Sequence, residues 1–237
     1  MPIKRFSIAL VACLALTFPV QAFDGPMMLA LSWQPAFCET RPSVPECSSQ
    51  RAGRFDTQNL VLHGLWPGPR GVEYCGVDRR IERLDRNGRW ERLPGLGLPR
   101  DLQRQLYDEM PGVQSALHRH EWVKHGTCYG GDAETYFRHS LAMLEEVNTS
   151  SLGALLRRSV GRNVTLRAIQ DAAERDFGRG AGERVSLKCV RDGGRELIRE
   201  VRFSLRGPYR TLPIMLSRGR PARSGCDGGI IDPAGLQ

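Results

Sequence analysis

The sequence predicts a single α+β domain stapled by disulfides, and three observations carry that prediction. Apolar runs of strand length stand near the N-terminus and again toward the C-terminus. Between them, from about residue 99 to residue 177, apolar residues recur at helical spacing. Strands and helices are therefore segregated along the chain instead of alternating, as in α+β domains. The third observation is an even set of cysteines in the part of the chain that follows an export leader. A length of 237 residues with 41% hydrophobic and 25% charged residues suits one generous globular domain. No internal repeat or long linker calls for a second.

The first residues read as a secretory leader. Lys4 and Arg5 form a positive start, Phe6 to Val20 an apolar stretch, and Val20-Gln21-Ala22 a site for signal peptidase. Cleavage after Ala22 leaves a mature domain of residues 23–237 and removes Cys13. Cys38, Cys47, Cys75, Cys128, Cys189 and Cys226 remain, and in an oxidising compartment they are expected to pair, in an order that the sequence leaves open. No Cys-x-x-Cys pair is present, so the usual structural zinc spacing is missing. No later stretch approaches the ~18 apolar residues of a membrane span. The mature chain is expected in a periplasm or outside the cell. Its formal charge, +8 with the leader's two cations included, favours encounter with polyanions without identifying one.

Taken in order, Met27 to Trp33 is an apolar run suited to a buried strand. Residues 35–56, rich in Pro, Ser, Arg and Cys, are expected to be loop. Leu60-Val61-Leu62 leads into His63-Gly64 and a strand that stops at the turn Pro67-Gly68-Pro69. Residues 68–99 carry Gly, Arg and Pro and read as irregular. Pro99-Arg100-Asp101 opens a helix through Leu102, Leu106 and Met110; residues 114–125 form the next, and Ala133 to Val147 a third. Thr165 caps a fourth, with Leu166, Ile169 and Ala173 on one face. Alternation at Val185–Cys189 and Leu197–Leu205 predicts two further strands.

Chemistry concentrates in the histidines. Of five, His118, His120 and His125 fall within eight residues, His63 stands at a strand end beside Gly64, and His139 lies apart. Imidazoles titrate near neutrality, so two of them can serve as base and acid in one cycle. On a helix Glu121 and His125 share a face, as do His118 and His125, whereas His120 points elsewhere unless the helix bends or ends. Gly126 supports such an end. The nearest rival is a zinc peptidase, but its histidines stand four apart on one helix face. Here His120 and His125 are five apart, and Lys124 repels a cation.

Leu62-His63-Gly64-Leu65-Trp66-Pro67 and His120-Glu121-Trp122-Val123-Lys124-His125-Gly126-Thr127-Cys128 resemble the two active-site segments of the ribonuclease T2 family. The resemblance is strong over residues 27–140 and later rests on strand pattern and the last two cysteines. It implies a mostly antiparallel sheet with helices packed on it, and an endoribonuclease that leaves 2′,3′-cyclic phosphate ends. His63 and His125 correspond to the catalytic pair, with His125 assigned as base and His63 as acid. His120 corresponds to the phosphate-binding histidine, and Glu121 and Lys124 to the groups that stabilise the transition state. Trp66 takes the place of a base-stacking residue and Gln34 that of a polar base-site residue. The resemblance also implies Cys75–Cys128 and Cys189–Cys226 bridges, which leaves Cys38 for Cys47.

Two positions depart from the family pattern. Leu117-His118 replaces an aromatic–Trp pair, and Gly68 stands where many members carry an acid that helps to select a base. Both lean toward low base specificity. The implied partner is single-stranded RNA, with no cofactor, no metal, no obligate protein partner and a monomeric state expected. A catalytically silent RNA-binding module of the same fold is the alternative, and loss of a catalytic histidine would be its mark. A basic structural protein would satisfy the charge but not the two segments.

Overall fold

The computed structural model describes residues 23–69 and 71–236. The leader, residues 1–22, lies outside the described residues. Six strands form one mixed sheet in the order β2-β1-β5-β6-β3, with β4 paired to β5. At its centre the apolar run β1 (Pro26–Ser32) lies antiparallel between β2 (Val61–Pro67) and the long β5 (Arg195–Arg206). β4 (Val185–Asp192) forms a hairpin with β5, and the short β3 (Asn163–Thr165) and β6 (Gly228–Ile230) extend the sheet. Among the strands of the described residues only β5 and β6 pair in parallel, beside an isolated parallel bridge between Val160 and Ile231, so the expectation of a mostly antiparallel sheet holds.

The helices are α1 (Gln34–Thr40), α2 (Pro45–Ser48), α3 (Arg79–Arg86), α4 (Arg100–Glu109), α5 (Leu117–Lys124), α6 (Ala133–Thr149), α7 (Ser151–Arg158), α8 (Leu166–Phe177) and α9 (Leu212–Arg218). Their apolar faces meet the sheet in one core that includes Leu29, Leu31, Trp33, Phe137, Leu141 and Phe203. The caps follow the sequence: Thr165 accepts from the Ala168 amide, and Asp132 from that of Thr135. Cys38–Cys47, Cys75–Cys128 and Cys189–Cys226 are bonded as expected.

Four expectations are corrected. Residues 35–56 are not all loop, because α1 and α2 each take a proline into the first turn, where its missing amide costs no helical bond. Residues 68–99 contain α3, which buries only Asp85 and so shows no apolar stripe; its signal is the Asp78 N-cap. The helix expected over 114–125 is split by Ala116, at φ 60°, into a 3-10 turn (Pro111–Ser115) and α5. His63 does not stand at a strand end: β2 runs through it and stops, as expected, at the turn that begins with Pro67.

α6 pins the outer edge of β2 on both sides of His63. The Asn148 side chain exchanges hydrogen bonds with the Leu60 backbone, and the Tyr136 hydroxyl does the same with Leu65. These bonds satisfy backbone groups of an edge strand that would otherwise be buried unpaired.

Candidate active site

The β1–β2 ladder pairs Ala30 with Gly64 and Leu31 with Leu62, so His63 is a bulged residue without a partner on β1. A bulge redirects a side chain out of strict alternation. The His63 ring is thereby held between two buried carboxylates. Its Nε2 is 3.6 Å from Glu121 Oε1, and its Nδ1 is 3.4 Å from Glu200 Oε1. Burial alone would lower the His63 pKa, but Glu200 and Glu121 outweigh it and raise the value above the ordinary 6.5.

α5 supplies the other groups. Glu121 is 1% exposed, and its Oε2 accepts the Trp66 indole N–H at 2.8 Å. Burial pushes its carboxyl up, against the opposing pull of His63, His120, the Trp66 indole and Lys124. Gly64 makes this approach possible, because a Cβ there would run into the Glu121 carboxylate.

His120 is fixed from α3 and the turn that follows. Its Nδ1 is 2.8 Å from Asp85 Oδ1, and its ring stacks on Trp90 at 4.3 Å. Asp85 is buried and also accepts the Tyr74 hydroxyl at 2.8 Å.

α5 ends at Lys124, and His125 caps it at φ −116° and ψ −46°, its amide still donating to the Glu121 carbonyl. Its ring lies 6.3 Å from the His120 ring and 5.6 Å from Trp66. The two histidines five apart therefore lie close together at the end of α5. His125 is 9% exposed, with Nδ1 buried and unpartnered among the described residues. Burial, then the charges of Lys124, His120 and His63, hold its pKa down at about 3. Lys124 Nζ lies 3.7 Å from Glu73 Oε1 at the rim.

The two segments meet at further points. The Tyr74 amide donates to the Lys124 carbonyl at 2.9 Å, one residue before the Cys75–Cys128 bridge. Clefts open on both sides of the histidines. One is lined by Gln34, Phe37, Leu62, His63, Trp90 and Leu117, and the other by Trp66, Pro67, Gly68, Val72, Lys124 and His125. Gln34 opens α1 just after β1 and is 5% exposed.

His118 does not align with His125. It faces a separate cleft with Leu96, Leu98 and Tyr107, and burial lowers its pKa to about 4. His139 bonds the Tyr129 hydroxyl and stacks on Tyr209, away from the cleft.

Four partners of the histidines and of Trp66 escaped the sequence reading: Asp85, Trp90, Glu200 and Arg202. Arg202 lies over the Trp66 ring at 5.2 Å and bonds Glu200. One signal was available, since Glu200 and Arg202 sit two apart in an alternating strand, on the face opposite Val201 and Phe203.

Fold and site together define an endoribonuclease. The chain belongs to the ribonuclease T2 family, whose sequence pattern matches residues 24–212. It is 30% identical to ribonuclease I of Escherichia coli strain K12, over 88% of this chain and 86% of that one. Trichomaglin, a novel S-like ribonuclease, superposes with a TM-score of 0.61 at 16% identity, covering 90% of this chain and 99% of that one. RNase NT, solved in complex with 5′-AMP, gives 0.58 at 23% identity and the same coverage.

Proposed function

We propose that the enzyme cleaves single-stranded RNA by metal-independent transphosphorylation, leaving a 2′,3′-cyclic phosphate and a free 5′-hydroxyl. The observation that carries this is the opposite setting of two histidines that flank the Trp66 ring. His63 lies between the Glu121 and Glu200 carboxylates, whereas His125 is buried beside the Lys124 ammonium. At one pH the first is charged and the second neutral, as an acid–base pair requires.

His125 takes the proton of the ribose 2′-OH. The 2′-oxygen attacks phosphorus in line, and the bond from phosphorus to the 5′-oxygen breaks. His63 delivers its proton to that oxygen. His120 and Lys124 offset charge on the phosphoryl oxygens, the kind of preorganised stabilisation that is often the largest catalytic effect. DNA is inert because it lacks the nucleophile. The clefts on either side of the pair suit the two nucleosides that flank a scissile phosphate, with Gln34 in one and Trp66 in the other. Gly68 stands in place of an acid in the second cleft, where Glu73 is engaged by Lys124, and low base specificity is expected on that ground. Three formed disulfides support export to a periplasm or the medium.

The test is digestion of RNA by the mature protein in excess EDTA, with mass analysis of the product ends. Cyclic phosphate termini are expected. Cleavage only on addition of metal, or none at all, overturns the proposal.

A further inference from the structure

The mechanism uses β2 and α5, yet the group nearest to His63 belongs to β5. Glu200 is 2% exposed, and burial of a carboxylate is costly unless both oxygens are satisfied. Each oxygen here has its own partner. Oε2 receives Arg202 Nε at 2.7 Å and Nη2 at 2.6 Å. Oε1 faces His63 Nδ1 at 3.4 Å and Arg199 Nη2 at 3.5 Å.

We propose that Glu200 is a positioning residue for His63: clamped by Arg202, it holds the imidazole at Nδ1 and turns Nε2 toward the leaving 5′-oxygen. This rests on the assignment of His63 as the acid. The ladder supports the geometry. His63 is bulged from β2 and Arg199 from the β4 side of β5, so two interruptions of the sheet bring the imidazole and the carboxylate together. The hydrogen bond made by one ring nitrogen fixes what the other can do. The charged groups around His63 are Glu121 from α5 and Glu200 with Arg202 from β5. Lys188 of β4 pairs across from Glu200. His63 and Arg202 hold the Glu200 carboxyl down at about 2 against the effect of burial, so above that pH it faces a charged His63 in its ionised form.

The experiment compares two substrates. A dinucleoside phosphate loses an alkoxide that needs a proton, whereas a nitrophenyl ester of a nucleoside 3′-phosphate loses a stable anion that does not. Glu200→Gln is expected to lower kcat on the dinucleoside phosphate by on the order of 10- to 10²-fold, less than the 10²–10⁴ a general acid supplies. KM should hold, the alkaline limb of the rate profile should move to lower pH, and the aryl ester should react at close to the wild-type rate. Glu200→Asp should recover part of the loss. If Glu200→Gln unfolds because Arg202 is left unpaired, Glu200→Gln with Arg202→Gln removes both charges and should show the same substrate dependence. Equal losses on both substrates, or an unmoved alkaline limb, overturn the proposal. His63→Ala serves as control: an equal loss on both substrates there would reject His63 as the acid, a failure distinct from that of Glu200.

Discussion

The Trp66 indole N–H donates to the Glu121 carboxylate at 2.8 Å and so bonds the first histidine segment to the second. The bond links residues 55 apart in sequence. It also gives Trp66 a part beyond stacking a base, since its edge fixes the carboxylate that faces His63. A hydrogen bond to a charged group contributes ~1.5–3 kcal/mol. Trp66→Phe keeps an aromatic face and loses the bond, and kcat should fall by roughly ten-fold or more on that ground. Steady-state kinetics on a dinucleoside phosphate checks this; a change in KM alone would return Trp66 to base binding.

Gly64→Ala tests the same carboxylate from the other side. The added methyl collides with Glu121, so the carboxylate must move. A shift near 1 Å in an active site costs up to ~10²-fold in rate. The circular dichroism spectrum should be unchanged, and activity close to wild type would show that Glu121 tolerates displacement.

Asp85→Asn should loosen His120, whose Nδ1 it holds at 2.8 Å. Loss of a charge-assisted hydrogen bond predicts roughly a ten-fold drop in kcat/KM. His118→Ala, two residues before His120, is the matched control, and it should leave kcat/KM intact because His118 faces another cleft.

The pH profile follows from the two shifts. His125 must be neutral to act as base, so activity is lost as pH falls through its depressed value, about 3. His63 must be protonated to act as acid, so activity is lost as pH rises through a value above the ordinary 6.5. The bell should therefore be broad, with its centre on the acid side of neutrality. An acid limb above pH 6 would contradict the assignment of His125 as a base buried in its neutral form.

The bridges should differ in their effect on stability. In the chain-entropy view, the 53-residue span of Cys75–Cys128 constrains the unfolded chain by roughly 4 kcal/mol, and the 9-residue span of Cys38–Cys47 by less than about 3. Paired serine replacements compared by melting temperature should rank in that order. Only the first should also lower activity, since it closes the loop that carries Glu73 and Tyr74 against α5.

Much of this was legible in the chain. His63 and the run from His120 to His125 stand in two compact segments, and local spacing is enough to find them. The family likeness supplied their roles. Asp85, Trp90, Glu200 and Arg202 were hidden for a physical reason. Each acts across a tertiary contact, and each stands in a stretch whose own pattern reads as solvent-facing: α3 is rich in arginine, and β5 alternates charge with apolar residues. Helices α1 and α2 were missed because proline reads as a breaker until its place in the first turn is known. The proximity of His120 and His125 was not legible from their spacing, and Gly126 indicated the end of α5 without fixing the backbone angles of His125.

His63 is the one residue of β2 that takes no part in pairing with β1. On one side of it Leu62 meets Leu31, and on the other Gly64 meets Ala30, so both halves of the ladder are complete without it. On the proposed mechanism the chemistry is thus seated in a surplus residue. Selection on the imidazole and selection on the strand act on different positions, and the site can change its reactive group without asking the sheet to give up a rung.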